Sequence, residues 1–206
     1  RGRVVVIRRV PGHGRIQMES LLVSTGVVAL AEIGDKTQLL AFILAARFKK
    51  PVPIIAGILV ATLANHALAG SLGVWLARLL PDGWLAWIVG LTFIGFGLWA
   101  LWPDKLDQEP AVHPAGAFVT TTIAFFLAEM GDKTQLATVA LGARFESLVV
   151  VVTGTTLGMM IANVPAVLVG ESLARKFPLG AMRFAAAALF IVTGLVTLHA
   201  TPATLP

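Results

Sequence analysis

Two short segments of this chain hold the residues best suited to chemistry. Ala31-Glu32-Ile33-Gly34-Asp35-Lys36-Thr37-Gln38 recurs as Ala128-Glu129-Met130-Gly131-Asp132-Lys133-Thr134-Gln135, identical at seven of eight positions and offset by 97 residues. Each copy supplies two carboxylates, an ammonium, a hydroxyl and an amide. If the copies meet, four carboxylates face two ammonium groups, a net charge of −2 when all are ionised. A divalent cation would neutralise that charge, and so would two protons, which offers a route to exchange. Carboxylate and amide oxygens are hard ligands that suit calcium, manganese or magnesium. The candidate cation ligands are therefore Glu32, Asp35, Gln38, Glu129, Asp132 and Gln135. The chain has no cysteine, which excludes thiolate metal sites, disulfides and cysteine nucleophiles.

On a continuous helix of 3.6 residues per turn, Asp35 and Lys36 share a face with Glu32, and Gln38 flanks it. Thr37 then points elsewhere, with its hydroxyl within reach of the Ile33 carbonyl. Gly34 would either admit a neighbouring helix closely or permit a local break beside the carboxylates. Glu129, Gly131, Asp132, Lys133, Thr134 and Gln135 repeat the pattern. Asn65 and Asn163 also recur and are candidate helpers, or polar glue between helices. His66 has no counterpart at Val164 and reads as a packing histidine. The alternative, in which Glu32–Lys36 and Glu129–Lys133 are intrahelical ion pairs that only hold helices together, leaves one carboxylate per copy unbalanced. Buried pairs are in any case weak stabilisers.

The elements that must position these groups are apolar. Hydrophobic residues make up 57% of the 206 and charged residues 13%, with a mean hydropathy of +0.85. Soluble domains carry about 25% charged residues. Three charges inside a long apolar run are costly in lipid and mark a functional site. Six stretches reach the ~20 residues that a membrane helix needs: 20–46, 52–79, 84–102, 116–143, 147–174 and 181–200. Trp75, Trp84, Trp87, Trp99 and Trp102 lie near the ends of the second and third and read as interfacial anchors.

The halves correspond beyond the motif. Arg47-Phe48 matches Arg144-Phe145, Gly57 matches Gly154, Leu76-Ala77-Arg78 matches Leu173-Ala174-Arg175, and Gly97-Leu98 matches Gly194-Leu195. Ala64-Asn65 matches Ala162-Asn163 after one insertion. Three spans per half force the second into the opposite orientation. The expected fold is all-α, a polytopic membrane protein of six transmembrane helices arranged as two inverted three-helix repeats. Repeat 1 covers 18–102, a central loop 103–114, and repeat 2 115–206.

The net charge of +5 is local. Arg1, Arg3, Arg8, Arg9 and Arg15 precede Met18, and the rest of the chain has eleven basic and eleven acidic residues. The balance gives no support for nucleic-acid binding. Residues 1–17 read as a disordered or non-native extension, or else as a basic arm on the membrane surface. Discounting them, Arg47, Lys49, Lys50, Lys105, Arg175, Lys176 and Arg183 collect on one side of the membrane, against Arg78 and Arg144. Basic residues favour the cytoplasmic side, so the central loop should be cytoplasmic and both termini periplasmic, in a bacterial inner membrane. Counting the tail removes the bias.

At the doubled motif the chain resembles a family of small six-helix proteins with the signature Glu-x-Gly-Asp-[Lys/Arg]-[Thr/Ser], present twice. The family includes the Golgi manganese/calcium transporters of eukaryotes and the bacterial and chloroplast manganese exporters, and is grouped with the lysine-exporter superfamily. The resemblance covers residues 18 to about 200. It implies exchange of Mn²⁺ or Ca²⁺ for protons, most of all Mn²⁺ export, with Glu32, Asp35, Glu129 and Asp132 in the cation site. No resident cofactor is implied; the ions carried are the substrate. Expected partners are that divalent cation and membrane lipid, and a homo-oligomer is compatible with the sequence.

Three rival readings fit the residues less well. Intramembrane aspartyl proteases also use a Gly-Asp dipeptide, but their signature puts a glycine where this chain has Glu32 or Glu129. They also need a Tyr-Asp, and this chain has no tyrosine. An enzyme is therefore not expected. A passive cation channel fits the charges, but paired ionisable groups near mid-membrane suit a closed, alternating site better than an open pore. A cationic amino-acid exporter would need a partner for the substrate carboxylate, and only the two lysines offer one.

Overall fold

Apolar runs of this length have one economical way to satisfy their backbone in lipid, the helix. The computed structural model describes residues 13–102, 113–169 and 179–199, and its described residues form helices and no strands. The helices are α1 (His13–Glu32), α2 (Lys36–Phe48), α3 (Pro51–Leu79), α4 (Asp82–Trp99), α5 (Ala117–Glu129), α6 (Lys133–Phe145), α7 (Leu148–Val169) and α8 (Leu179–His199). By length and composition α3 and α7 can each cross a membrane, and α1 with α2 makes a third candidate if the bent pair is one span. Helices α4, α5 and α8 contain shorter apolar stretches. Most of the central loop, residues 1–12 and the end of the fifth expected span lie outside the described residues. Helix α1 starts at His13, five residues before Met18.

The first and fourth expected spans are not continuous helices. The chain breaks between α1 and α2 at residues 33–35, with a 68° bend. It breaks again between α5 and α6 at 130–132. The motif sits on these breaks, so the shared helical face expected for Glu32, Asp35 and Lys36 does not exist. Gly34 and Gly131 are the cause, with φ of 83° and 79°. A side chain in that left-handed region is strained, and glycine is not. A Cβ on Gly131 would meet nothing within 4 Å, so the requirement there is conformational and not one of space.

The packing repeats across the halves. Helix α1 lies on α7 and α5 on α3; α2 meets α7 and α6 meets α3. A Cβ on Gly57 would stand 2.8 Å from Thr121 Cβ and 2.9 Å from the Phe118 carbonyl oxygen. One on Gly154 would stand 2.8 Å from Ser24 Cβ and 2.9 Å from the Leu21 carbonyl oxygen. Each residue of the first contact is 97 positions from its counterpart in the second. Helices α4 and α8 cross through Gly90, Gly97 and Gly194, and the equivalent rings of Phe93 and Phe190 meet with centroids 6.2 Å apart. Small residues let membrane helices approach to backbone contact, where packing provides the attraction that lipid does not.

The four motif carboxylates are buried and the outward surface is apolar. Leu63, Leu68 and Leu72 of α3 and Leu157, Ile161 and Leu168 of α7 are exposed, as are the five tryptophans. The tightest glycine contact provides a test of this packing. A Cβ on Gly73 would lie 2.1 Å from the Val139 carbonyl oxygen and 2.9 Å from the Ala143 amide nitrogen, both backbone atoms. Gly73→Ala should therefore destabilise the protein by ~1–3 kcal/mol or more, the cost of overpacking. Gly95→Ala, with nothing within 4 Å, should be tolerated. Equal thermal midpoints for the two variants in detergent would contradict the α3–α6 contact.

Candidate functional site

Each break is a small device built from motif residues. The helix stops at the glutamate, and the aspartate amide three residues on donates back to the glutamate carbonyl: Asp35 to Glu32 at 3.0 Å and Asp132 to Glu129 at 3.1 Å. The new helix starts at the lysine, with the aspartate at its N-cap in extended conformation. An N-cap aspartate ordinarily turns its carboxylate onto its own helix. Neither Asp35 nor Asp132 makes that bond. Both carboxylates reach across to the other copy.

There they meet the lysines. Lys36 Nζ lies 3.2 Å from Asp132 Oδ1, and Lys133 Nζ donates to Asp35 Oδ1 at 2.6 Å. The ion pairs thus run between repeats, not along one helix. The two are not equal. The Lys133 side chain is 4% exposed and that of Lys36 22%, while both aspartates are at 3%.

The threonines hold the glutamates. Thr37 Oγ1 donates to Glu32 Oε2, and Thr134 Oγ1 donates to Glu129 Oε2 at 2.7 Å. The Ile33 carbonyl expected as the partner of Thr37 is not used, because the break carries Thr37 round to the carboxylate. The glutamines brace the glycine turns. Gln38 Oε1 accepts from the Gly34 amide at 2.9 Å and Gln135 Oε1 from the Gly131 amide at 2.7 Å. Their amide nitrogens reach outward, Gln38 to the Ala162 carbonyl oxygen and Gln135 to Asn65 Oδ1.

Asn65 does a further service. Ending α5 at Glu129 leaves late carbonyls without helical donors. Met130 N turns to the Leu127 carbonyl, and Asn65 Nδ2 donates to the Phe126 carbonyl at 3.0 Å. Asn163 is less engaged with the motif: its Nδ2 bonds to Met159 on its own helix, and its Oδ1 is buried without a hydrogen-bond partner. His66 is buried, and neither ring nitrogen has a hydrogen-bond partner. It stands apart from the carboxylates that come together.

Three carboxylates converge. One oxygen each from Glu32, Glu129 and Asp132 lie within 4.8 Å of one another, and all three residues are buried. Two oxygens bound to one ion at ~2.3–2.6 Å can be at most ~4.6–5.2 Å apart, so a single hard cation can bridge the group. Glu32 Oε1, Glu129 Oε1 and Asp132 Oδ2 are buried and have no hydrogen-bond partner. Buried polar atoms are ordinarily satisfied, and such oxygens are the donors a dehydrated cation needs. Among the six candidate ligands, the structure brings together these three. Asp35 stands beside them on Lys133, and the two glutamine oxygens are turned to the glycines.

The comparisons with known proteins agree in kind. A family model described as "Divalent cation/proton antiporter GDT1" matches residues 20–108 and 117–204. A protein of Vibrio cholerae serotype O1 named "Putative manganese exporter" is 53% identical over 181 residues, 87% of this chain and 90% of that protein. Two Arabidopsis thaliana proteins are more distant. "GDT1-like protein 5" is 28% identical, with 85% of this chain and 93% of that one aligned. "GDT1-like protein 4" is 30% identical, with 84% and 92% aligned. No solved structure matches the chain.

Proposed function

We propose that this chain, which belongs to the GDT1 family of divalent cation/proton antiporters, exports Mn²⁺ in exchange for protons, with Ca²⁺ as a second candidate cargo. It is a membrane transporter and not an enzyme. The observation that carries the proposal is the meeting of Glu32, Glu129 and Asp132 from both copies of the motif. Neither copy alone brings three carboxylates to one point. A divalent cation shared by them offsets their mutual repulsion, and protons do the same once it leaves. One site that takes either load, but is costly when carrying neither, couples the two fluxes.

The residues divide the work. Glu32, Glu129 and Asp132 bind the ion. Thr37 and Thr134 orient the glutamates, and Gln38 and Gln135 fix the glycine turns on which the aspartates depend. We read the two halves as inverted three-span repeats. The offset-97 contacts and the cross-repeat lysine pairs support a pseudo-two-fold relation, and the odd number of spans supports inversion. Alternating access then follows from one repeat rocking against the other around the shared site.

A panel of Mn²⁺, Ca²⁺ and Mg²⁺ on purified protein in liposomes, with and without a pH gradient, tests the function. Gradient-dependent uptake of Mn²⁺ or Ca²⁺ is expected. Uptake indifferent to the gradient would favour a passive channel and overturn the proposal. Orientation is tested separately, because it rests on the basic-residue count beyond Met18. A cysteine placed at Asp107 should resist impermeant thiol reagents on intact cells, which the cysteine-free background makes clean. Rapid labelling would reverse the assignment.

A further inference from the structure

We propose that Lys36 is a tethered competitor for the transported cation: its ammonium occupies Asp132 when the cation is absent and drives the cation off again. The proposal rests on the cation site assigned above and adds a release step to it. Asp132 has two roles that conflict. Its Oδ1 lies 3.2 Å from Lys36 Nζ, while its Oδ2 is buried without a hydrogen-bond partner, and one of its oxygens joins the group formed with Glu32 and Glu129. A cation in that group and the Lys36 ammonium would share one carboxylate. Two positive charges so close repel even when both are held by the same anion.

Only one of the two lysines is placed to yield. Lys133 is enclosed at 4% exposure, 2.6 Å from Asp35, and Asp35 lies outside the converging group. Lys36 is 22% exposed, and a long flexible side chain that is not enclosed can swing aside from Asp132. The same stem brings it back. Asp132 is thus never far from a cation of the protein's own. The transported ion has to outcompete that ammonium to bind, and the ammonium limits how long it stays. A monovalent ion replaces one unit charge with one and gains little; a divalent ion brings twice the charge to every carboxylate.

This reading gives Lys36 variants a direction opposite to that of a positioning role. If Lys36 merely held Asp132 in place, removing it would weaken cation binding. If it competes, removing it tightens binding, slows release and lets monovalent ions in. The test measures equilibrium Mn²⁺ binding to the purified full chain, alongside turnover in liposomes. Lys36→Gln should bind Mn²⁺ ~10- to 100-fold more tightly, as expected for removing a unit charge from a partly screened site. It should turn over more slowly and become sensitive to Na⁺ at concentrations that leave the parent protein unaffected.

Lys36→Cys supplies the control. The chain has no other cysteine, so an aminoethyl thiosulfonate reagent will attach an ammonium at that position alone. Affinity should rise in the cysteine variant and return toward the parent value on aminoethylation. Both variants should elute as monodisperse protein with unchanged helicity. Weaker or unchanged Mn²⁺ binding in Lys36→Gln and Lys36→Cys, with the parent binding normally, overturns the competitor. A parent protein that binds neither Mn²⁺ nor Ca²⁺ overturns the cation site itself, and the competitor with it.

Discussion

Glu129→Gln and Glu32→Gln are each expected to reduce gradient-driven Mn²⁺ flux by ~100-fold or more while leaving the protein folded. The magnitude follows from losing a charged ligand in a buried site, ~3 kcal/mol, at ~1.4 kcal/mol per factor of ten. Folding should survive for a structural reason. Glutamine keeps a carbonyl oxygen where Glu129 accepts the Thr134 bond and where Glu32 accepts the Thr37 bond. The substitution also relieves repulsion among carboxylates that are wholly buried. Proton coupling should fail with cation binding, because the neutral amide carries neither load. Liposome flux on both variants, with size-exclusion profiles to verify folding, is the measurement. Near-parental flux of both Mn²⁺ and Ca²⁺ in both variants would remove the glutamates from the site.

The doubled motif makes the candidate site legible in the amino-acid sequence itself. Seven identical positions at a fixed offset single out the carboxylates of Glu32, Asp35, Glu129 and Asp132. The local geometry is not legible in the same way. A run such as residues 20–46 has the composition of one continuous helix, and face arguments built on 3.6 residues per turn put Glu32 and Lys36 together. The signal against that is Gly34, but a glycine in an apolar helix serves close packing as readily as a turn. Only the backbone, with φ near 80° at Gly34 and Gly131, separates those uses.

Once the helix breaks, every neighbour changes. The lysines leave their own glutamates for the opposite aspartates, the threonines turn to the glutamates, and the glutamine oxygens are taken by glycine amides. Asn65 stands out in the sequence by its recurrence as Asn163. Its task, satisfying a Phe126 carbonyl near the end of α5, follows from the break and has no sequence signature. Nor does the repeat reveal that the halves differ. Lys36 and Lys133 are equivalent in sequence, and their burial is a property of the one conformation that the assembled halves adopt.

That difference predicts unequal consequences for equivalent mutations. Asp35→Asn removes the carboxylate 2.6 Å from the Lys133 ammonium, whose side chain is 4% exposed. A buried charge that loses a close opposite charge costs up to ~3–5 kcal/mol, so the thermal midpoint should fall. Asp132→Asn breaks the counterpart pair and leaves Lys36 behind, but that lysine is 22% exposed and can swing out of the enclosed group. Partly exposed pairs contribute about 1 kcal/mol or less, and the midpoint should move little. Neutralising both partners, as Asp35→Asn with Lys133→Met, should recover part of the loss, because no charge is then stranded. On the proposed cation site the double variant should be inactive all the same, since it loses the cross-repeat pair next to Asp132. Thermal unfolding of the three variants in one detergent decides the matter. If Asp35→Asn and Asp132→Asn lose equal stability, the asymmetry of the two halves has no energetic content. If the double variant is worse than Asp35→Asn alone, the pair acts through packing and not through compensated charge.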